Sequence, residues 1–215
     1  MHTNTVELIG HYGSDLTHAC SAWTSTSREL TEDKLGRVGP LLKMLAENGH
    51  HTPFEKSSLH FLCTTDIATH IHLLKHRIGV SANSESGRYR ELKDKFYVPQ
   101  DWDEQEQKKH IEFCEMCLRE YHECLARLVA KGMTRSRAKE SARFKLPYSN
   151  QYTVDVMFNF RSFEHFLKLR FSLHSQTEVR ELAGRMLKLV KDTGSFNLTL
   201  MAFGYMDSKG VLVEP

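Results

Sequence analysis

His72–Tyr89 reads HLLKHRIGVSANSESGRY and holds two histidines, two arginines, a lysine, a glutamate, three serines and two glycines. The residues leading into it, Asp66–Arg77, predict a helix. Ile67, Ile71 and Leu74 recur on one helical face, Asp66 is a good N-cap and Gly79 sits just past the end. Lys75, His76 and Arg77 then crowd the last turn, where cations complement the negative end of the helix dipole. Val80–Tyr89 is nearly free of apolar residues and predicts a surface loop, the kind of segment that often carries function. Ser81, Asn83, Ser84, Glu85, Ser86, Gly87 and Arg88 would make a cradle for a phosphate-bearing ligand. Arginine offers a fork of donors, serine hydroxyls and backbone N–H groups add more, and glycine lets the backbone come close. The alternative is a solvated helix end followed by a turn.

With 40% hydrophobic and 26% charged residues, the chain has the balance of a globular protein. A net charge of +2 gives no reason to expect nucleic acid or a membrane surface as partner. No apolar run approaches the length of about 20 residues that spans a bilayer. The start, MHTNTVELIGHYG, lacks the charged and apolar regions of a secretory signal, so a cytoplasmic location is expected. Five cysteines, an odd number, argue against a disulfide framework. Cys114 and Cys117 have a CxxC spacing but lie mid-helix with no second pair, and read as buried helix-face residues. His72 and His76 sit at i, i+4, a metal-capable spacing, but no third ligand accompanies them, and no metal is expected.

Upstream, Val6–Tyr12 predicts a strand ended by Gly13, and Ser14 a cap for a helix reaching Trp23. A second helix runs from Pro40 and stops at Gly49. His50–Glu55 reads as a turn that is not helical before Pro53. Ser57–Thr65 alternates as a strand feeding the central helix. Downstream, Arg90–Asp101 is a charged loop. Asp101 is the expected cap of a long helix, Asp103–Lys131, whose stripe is Ile111, Cys114, Leu118, Tyr121, Leu125 and Leu128. Thr134 caps Arg135–Phe144, and Tyr152–Phe158 alternates as a strand. Ser162 is the expected cap of a buried helix in which Arg161, His165 and Arg170 are polar intrusions. Arg170, flanked by Leu169 and Phe171, calls for an anion or for Glu178 or Glu140 as partner. Thr177–Lys191 is a further helix, and Phe196–Phe203 a last apolar segment, helix or strand. No repeat or linker appears, so 1–215 reads as a single domain.

Four pieces, in order, resemble the flavin-dependent thymidylate synthases. Lys75-His76-Arg77, Ser81-x-Asn83 and Ser86-Gly87-Arg88-Tyr89 are similar to that family's RHRxxSxNExSxRY motif. Lys75 replaces the first arginine, one extra residue precedes Ser81, and the motif's glutamate, two positions before the serine, is here displaced to Glu85. His50-x-Thr52-Pro53-Phe54-Glu55 resembles its His-x-Thr/Ser-Pro-Phe-Glu-like segment. Glu140-Ser-Ala-Arg143-Phe-Lys-Leu146-Pro147 resembles its Glu-x-Ala-Arg-x-x-Leu-Pro element. Asn159-Phe-Arg161-Ser162, Phe166-Leu167-Lys168-Leu169-Arg170 and His174-x-Gln176-x-Glu178 resemble a fourth. His72 stands where the family usually has glutamine, and Trp23 where an arginine is expected.

The resemblance implies an α+β fold, a twisted, largely antiparallel sheet flanked by helices, one of them long. It implies synthesis of dTMP from dUMP, with FAD as cofactor, methylenetetrahydrofolate as one-carbon donor and NADPH as reductant, in a homotetramer with shared active sites. Binding of dUMP falls to His72, Glu85, Ser86, Gly87, Arg88, Arg143 and Arg170. Binding of FAD falls to Ser25, Lys75, His76, Arg77, Asn159, Arg161, His165 and His174. Arg170 and Ser86 are the implied catalytic residues, Ser86 by holding the nucleotide and not as a covalent nucleophile. No cysteine lies in the matched nucleotide-binding segments, which disfavours the thiolate chemistry of the other class of thymidylate synthase. A diverged homologue that modifies another pyrimidine nucleotide or adds another one-carbon group, or a flavin- or nucleotide-binding protein without catalysis, are the alternatives.

Overall fold

The structure, a computed structural model, describes residues 2–89 and 91–215; Arg90, where the expected charged loop begins, lies outside them. Its strands are β1 (Thr5–Tyr12), β2 (Ser58–Asp66), β3 (Val80–Ser84) and β4 (Gln151–Phe158), and they form one sheet in the order β1-β2-β4-β3. Its helices are α1 (Asp15–Trp23), α2 (Glu32–Gly36), α3 (Val38–Glu47), α4 (Ile67–Leu74), α5 (Glu104–Ala130), α6 (Arg135–Ala142), α7 (Phe160–Arg170), α8 (Thr177–Asp192) and α9 (Asn197–Ala202).

Neighbouring strands are antiparallel, because residue numbers fall along one as they rise along the next. On β1 and β2, Asn4 bonds Asp66 while Gly13 abuts Ser57. On β3 and β4, Glu85 N–H donates to the Thr153 carbonyl (2.8 Å) and Asn159 N–H to that of Gly79 (3.1 Å). Along β2 the side chains alternate, with Leu59, Phe61 and Cys63 fully buried and His60, Leu62 and Thr64 half-exposed.

The chain divides into two compact units, Met1–Thr5 with Cys63–Leu73 and Asn83–Val154, and Val6–Leu62 with Leu74–Ala82 and Asp155–Pro215. In the first, α5 lays Cys114 and Leu118 against Phe96 and Val98, and Tyr121 and Leu125 against Ala138 and Ala142 of α6. This is the stripe the spacing predicts, and Cys114 is buried in it, its Sγ 3.2 Å from Ser149 Oγ. In the second, Phe54, Phe61, Phe158, Phe160, Phe163, Phe166 and Phe196 are fully buried, and their rings pack in a mixture of edge-to-face, stacked and tilted pairs. His18 is buried among them, with ring contacts to Phe54 and Phe160. Asp15 accepts the Thr199 hydroxyl proton (2.6 Å), so Thr199 Oγ1 accepts from His18 Nδ1 (3.0 Å) and the other ring nitrogen faces Ser57 Oγ (2.8 Å). This chain of bonds ties α1 to α9, and burial pushes the imidazole down to about 4, so it is neutral.

Several local expectations are corrected. The central helix ends at Leu74, three residues before Arg77, and Val80–Ser84 is a strand instead of a loop. Asp103, and not Asp101, caps the long helix, its Oδ1 accepting from Glu106 N–H (2.9 Å). Asn159, and not Ser162, caps α7, accepting from Ser162 N–H (2.8 Å). Thr52–Glu55 forms a 3-10 turn, with Pro53 early in it where its missing N–H costs nothing. Arg143–Lys145 leaves α6 as another such turn. The last apolar segment is helical, as α9.

Candidate active site

The first unit gathers one cluster. Glu85 continues the pairing of β3 with β4, and Thr153 N–H donates back to its Oε2 (3.3 Å). The chain then turns on Ser86, whose hydroxyl and carbonyl accept from Arg88 N–H (3.3 Å) and Tyr89 N–H (3.2 Å). Gly87 is buried in that turn, where an added Cβ would press on Leu92 at 3.3 Å. Arg88 reaches Glu140 of α6 with Nε (2.7 Å) and lies over the Tyr89 ring. That bond holds the Glu140 carboxyl below the usual range, and Arg137 adds to it. Arg143 caps the C-terminus of α6 and is exposed.

Tyr152 stands among these groups. Burial raises its phenol, Arg143 opposes the rise, and Glu85 adds to it. His70, on α4, sits beside Tyr152 with ring centroids 6.2 Å apart, and its Nε2 is 3.0 Å from Ser84 Oγ. The Nδ1 atoms of His70 and His72 are buried without a hydrogen-bond partner. Burial lowers the His70 imidazole, with Asp66 acting against it, so the ring is held neutral.

The second unit gathers another. Gly79 adopts φ +66, and a Cβ there would overlap Ser162 Oγ and Asn159 Nδ2. The turn carrying Lys75, His76 and Arg77 is therefore seated directly on the N-terminus of α7, and Ser162 Oγ donates to the Ile78 carbonyl (2.7 Å). Arg170 Nε donates to His76 Nε2 (3.1 Å), which fixes that nitrogen as an acceptor. His76 also meets the Phe166 ring edge-on at 5.1 Å and lies near exposed His165. Arg161 pairs with Glu55 at 2.5 Å. His174 is exposed at the turn after α7. Ser25 lines an open cleft of about 410 Å³ with Ser21, His50, Thr52 and Pro53.

Of the residues implied for dUMP, the structure brings Glu85, Ser86, Gly87, Arg88 and Arg143 into the first unit with His72, whereas Arg170 lies in the second. All of those implied for FAD lie in the second unit. Arg170 takes His76 as partner; the carboxylates Glu178 and Glu140, expected for it, are engaged with Gln176 and with Arg88. Ser84 is read from the sequence only as one member of a phosphate cradle, and His70 and Tyr152 carry no functional expectation there. The available signal was the pairing of Glu85 with Thr153, which only a strand at Val80–Ser84 creates. Among the described residues no group of three or more His, Cys, Asp or Glu is arranged to hold a metal.

Lys75 and Arg77 are exposed and in no ion pair among the described residues. Two unneutralised cations on a fixed turn, with two histidines, Asn159 and Arg161 on the same unit, fit a flavin dinucleotide, whose pyrophosphate needs cations and whose ring needs hydrogen-bond donors.

The family model Thy1, described as thymidylate synthase complementing protein, matches residues 7–193. A flavin-dependent thymidylate synthase of Streptomyces avermitilis is 30% identical over 207 residues, covering 86% of this chain and 82% of that protein. Another, from Thermosipho melanesiensis, is 33% identical over 167 residues, 71% of each. Among solved structures, the UMP/dUMP methylase PolB from Streptomyces cacaoi bound with 5-Br dUMP has a TM-score of 0.77 at 30% identity, over 93% of this chain and 94% of that one. The same methylase bound with 5-Br UMP gives 0.77 at 28% identity, over 94% and 95%. The chain belongs to the Thy1 family, that of the flavin-dependent thymidylate synthases.

Proposed function

We propose that this protein makes dTMP from dUMP by reductive methylation, with FAD as cofactor, methylenetetrahydrofolate as one-carbon donor and NADPH as reductant. The observation that carries the reading is the family match across residues 7–193. The cationic clusters of the two units supply the chemistry such ligands need.

In the first unit, Arg88 and Arg143 face the nucleotide phosphate and the Ser86–Gly87 turn presents backbone N–H groups to it. The Glu140 carboxylate keeps the Arg88 guanidinium in place. In the second unit, Lys75, Arg77 and Arg161 hold the cofactor's phosphates, His174 and His165 flank it, and Asn159 bonds ribose or ring. Ser25 closes the adenosine end. When bound and reduced, the flavin supplies the hydride. Arg170 steadies developing negative charge on the pyrimidine, and its bond to His76 sets the guanidinium plane. Ser86 holds the nucleotide and forms no covalent bond with it. A protein of this type works as a homotetramer with shared active sites, and the exposed Ile78 (91%), Phe144 (83%) and Tyr89 (82%) support burial against other copies.

A second reading, methylation of a ribonucleotide, is favoured by one observation: the similar methylase has been seen with both 5-Br dUMP and 5-Br UMP. Titrating the purified chain with FAD and following the flavin absorbance tests the cofactor. The account expects saturable binding and anaerobic bleaching by NADPH. Absence of flavin binding would remove it.

A further inference from the structure

We propose that the His70–Ser84 pair reads the ribose 2′-hydroxyl, so that the nucleotide site of the first unit accepts a uridine monophosphate as well as its deoxy form. The proposal rests on the reading above that this cluster holds a pyrimidine nucleotide.

The sheet register places the pair. Glu85 is opposite Thr153 in an antiparallel ladder. Side chains alternate along each strand, so Ser84 and Tyr152 share the face opposite to that of Glu85 and Thr153. Helix α4 lays His70 over that same face, 3.0 Å from Ser84 Oγ and beside the Tyr152 ring. The charges of Arg143 and Glu85 act on the Tyr152 phenol in opposite directions. The His70–Ser84 pair therefore stands next in the chain to Glu85 and Ser86 of the nucleotide cluster, on the Tyr152 face of the sheet.

Chemistry decides what it reads. Arg88 and Arg143 already supply charge for a phosphate, and a neutral imidazole adds none. A serine hydroxyl has one proton and two lone pairs, and its bond to His70 uses one of these three. Ser84 is only half-buried, so its hydroxyl is within reach of a bound molecule. A group that can both donate and accept, beside a ring nitrogen left without a partner, complements a neutral hydroxyl. Ser84 also stands two positions before Ser86, where the family motif places a glutamate. The shorter side chain leaves room for one more ligand oxygen and exchanges a charge for a neutral donor–acceptor. A site built to bond a hydroxyl discriminates by that bond, because an analogue without it leaves polar groups unpaired.

The test is calorimetric titration of the FAD-loaded, full-length protein with UMP and with dUMP. Wild type is expected to bind UMP within about tenfold of dUMP, and Ser84→Ala to weaken UMP about tenfold but dUMP less than about threefold. His70→Gln, checked for native circular dichroism, is expected to show the same selective loss and carries the test if Ser84→Ala misfolds. Wild-type binding of dUMP alone, or equal losses for both nucleotides, would overturn the proposal and leave the synthase reading intact. Binding of neither nucleotide by a protein that still shows its flavin spectrum would overturn both.

Discussion

Ser86 sits on a turn whose own backbone uses its hydroxyl and carbonyl, with Arg88 N–H and Tyr89 N–H as donors. No base stands within hydrogen-bond reach of Oγ among the described contacts, so it is placed to hold a phosphate or sugar and lacks the partner a nucleophile needs. Ser86→Ala is expected to weaken dUMP about tenfold, the worth of one hydrogen bond to a charged group, while kcat falls only a few-fold. Calorimetry and steady-state kinetics separate these. Abolished turnover with dUMP affinity intact would sink that role. Arg170 was legible as a polar intrusion in an apolar helix, but its partner was not. Glu140 looks available in the sequence, yet α6 presents it to Arg88, and the Arg170 Nε donates instead to His76 Nε2. Which pairs form depends on which elements face each other, and single-residue chemistry cannot decide that.

Long elements with an apolar stripe are readable, whereas the short α4 buries Thr69 and Leu73 and leaves Ile71 and Leu74 of its expected stripe exposed. The stripes of α5 and α8 and the alternation of β2 come from periodicities of 3.6 and 2, and burial follows them. Val80–Ser84 reads as a loop because it carries almost no apolar side chains, yet it forms β3. It is a strand because it closes the edge of the sheet, where β4 supplies the hydrogen bonds and little side-chain burial is needed. The cap of α7 is ambiguous in the sequence for a related reason. Asn159 and Ser162 are both good caps, and contact with Gly79 engages the Asn159 side chain with both the helix and the preceding turn. Gly79→Ala meets both a left-handed backbone and the overlap with Asn159 and Ser162. It is expected to cost about 2 kcal/mol in urea unfolding and to weaken FAD, since the turn that carries Lys75 and Arg77 would shift. Unchanged stability would mean the turn is not seated there. Arg161→Ala, which leaves Glu55 without its cation, is expected to weaken FAD about tenfold in absorbance titrations while dUMP binding is kept.

At the level of the whole molecule, the family resemblance implies an α+β chain with one long helix and a largely antiparallel sheet, and the structure has both; the order β1-β2-β4-β3 is a finding of the structure. Acid tests its stability. His18 is held neutral at about 4 when folded and titrates near 6.5 when unfolded. Between those values the unfolded chain binds the extra proton, so stability falls as pH drops through that window, by about 3 kcal/mol in total. His18→Gln is expected to flatten that part of the urea midpoint against pH; an identical slope in both proteins would assign the loss elsewhere.

The central claim is flavin-dependent methylation of a uridylate. The direct measurement is anaerobic incubation of the FAD-loaded protein with dUMP, methylenetetrahydrofolate and NADPH, followed by the mass of the nucleotide. The account predicts the mass of dTMP, formed only when all three are present together with flavin. Unchanged dUMP from a protein that binds flavin and nucleotide would contradict it.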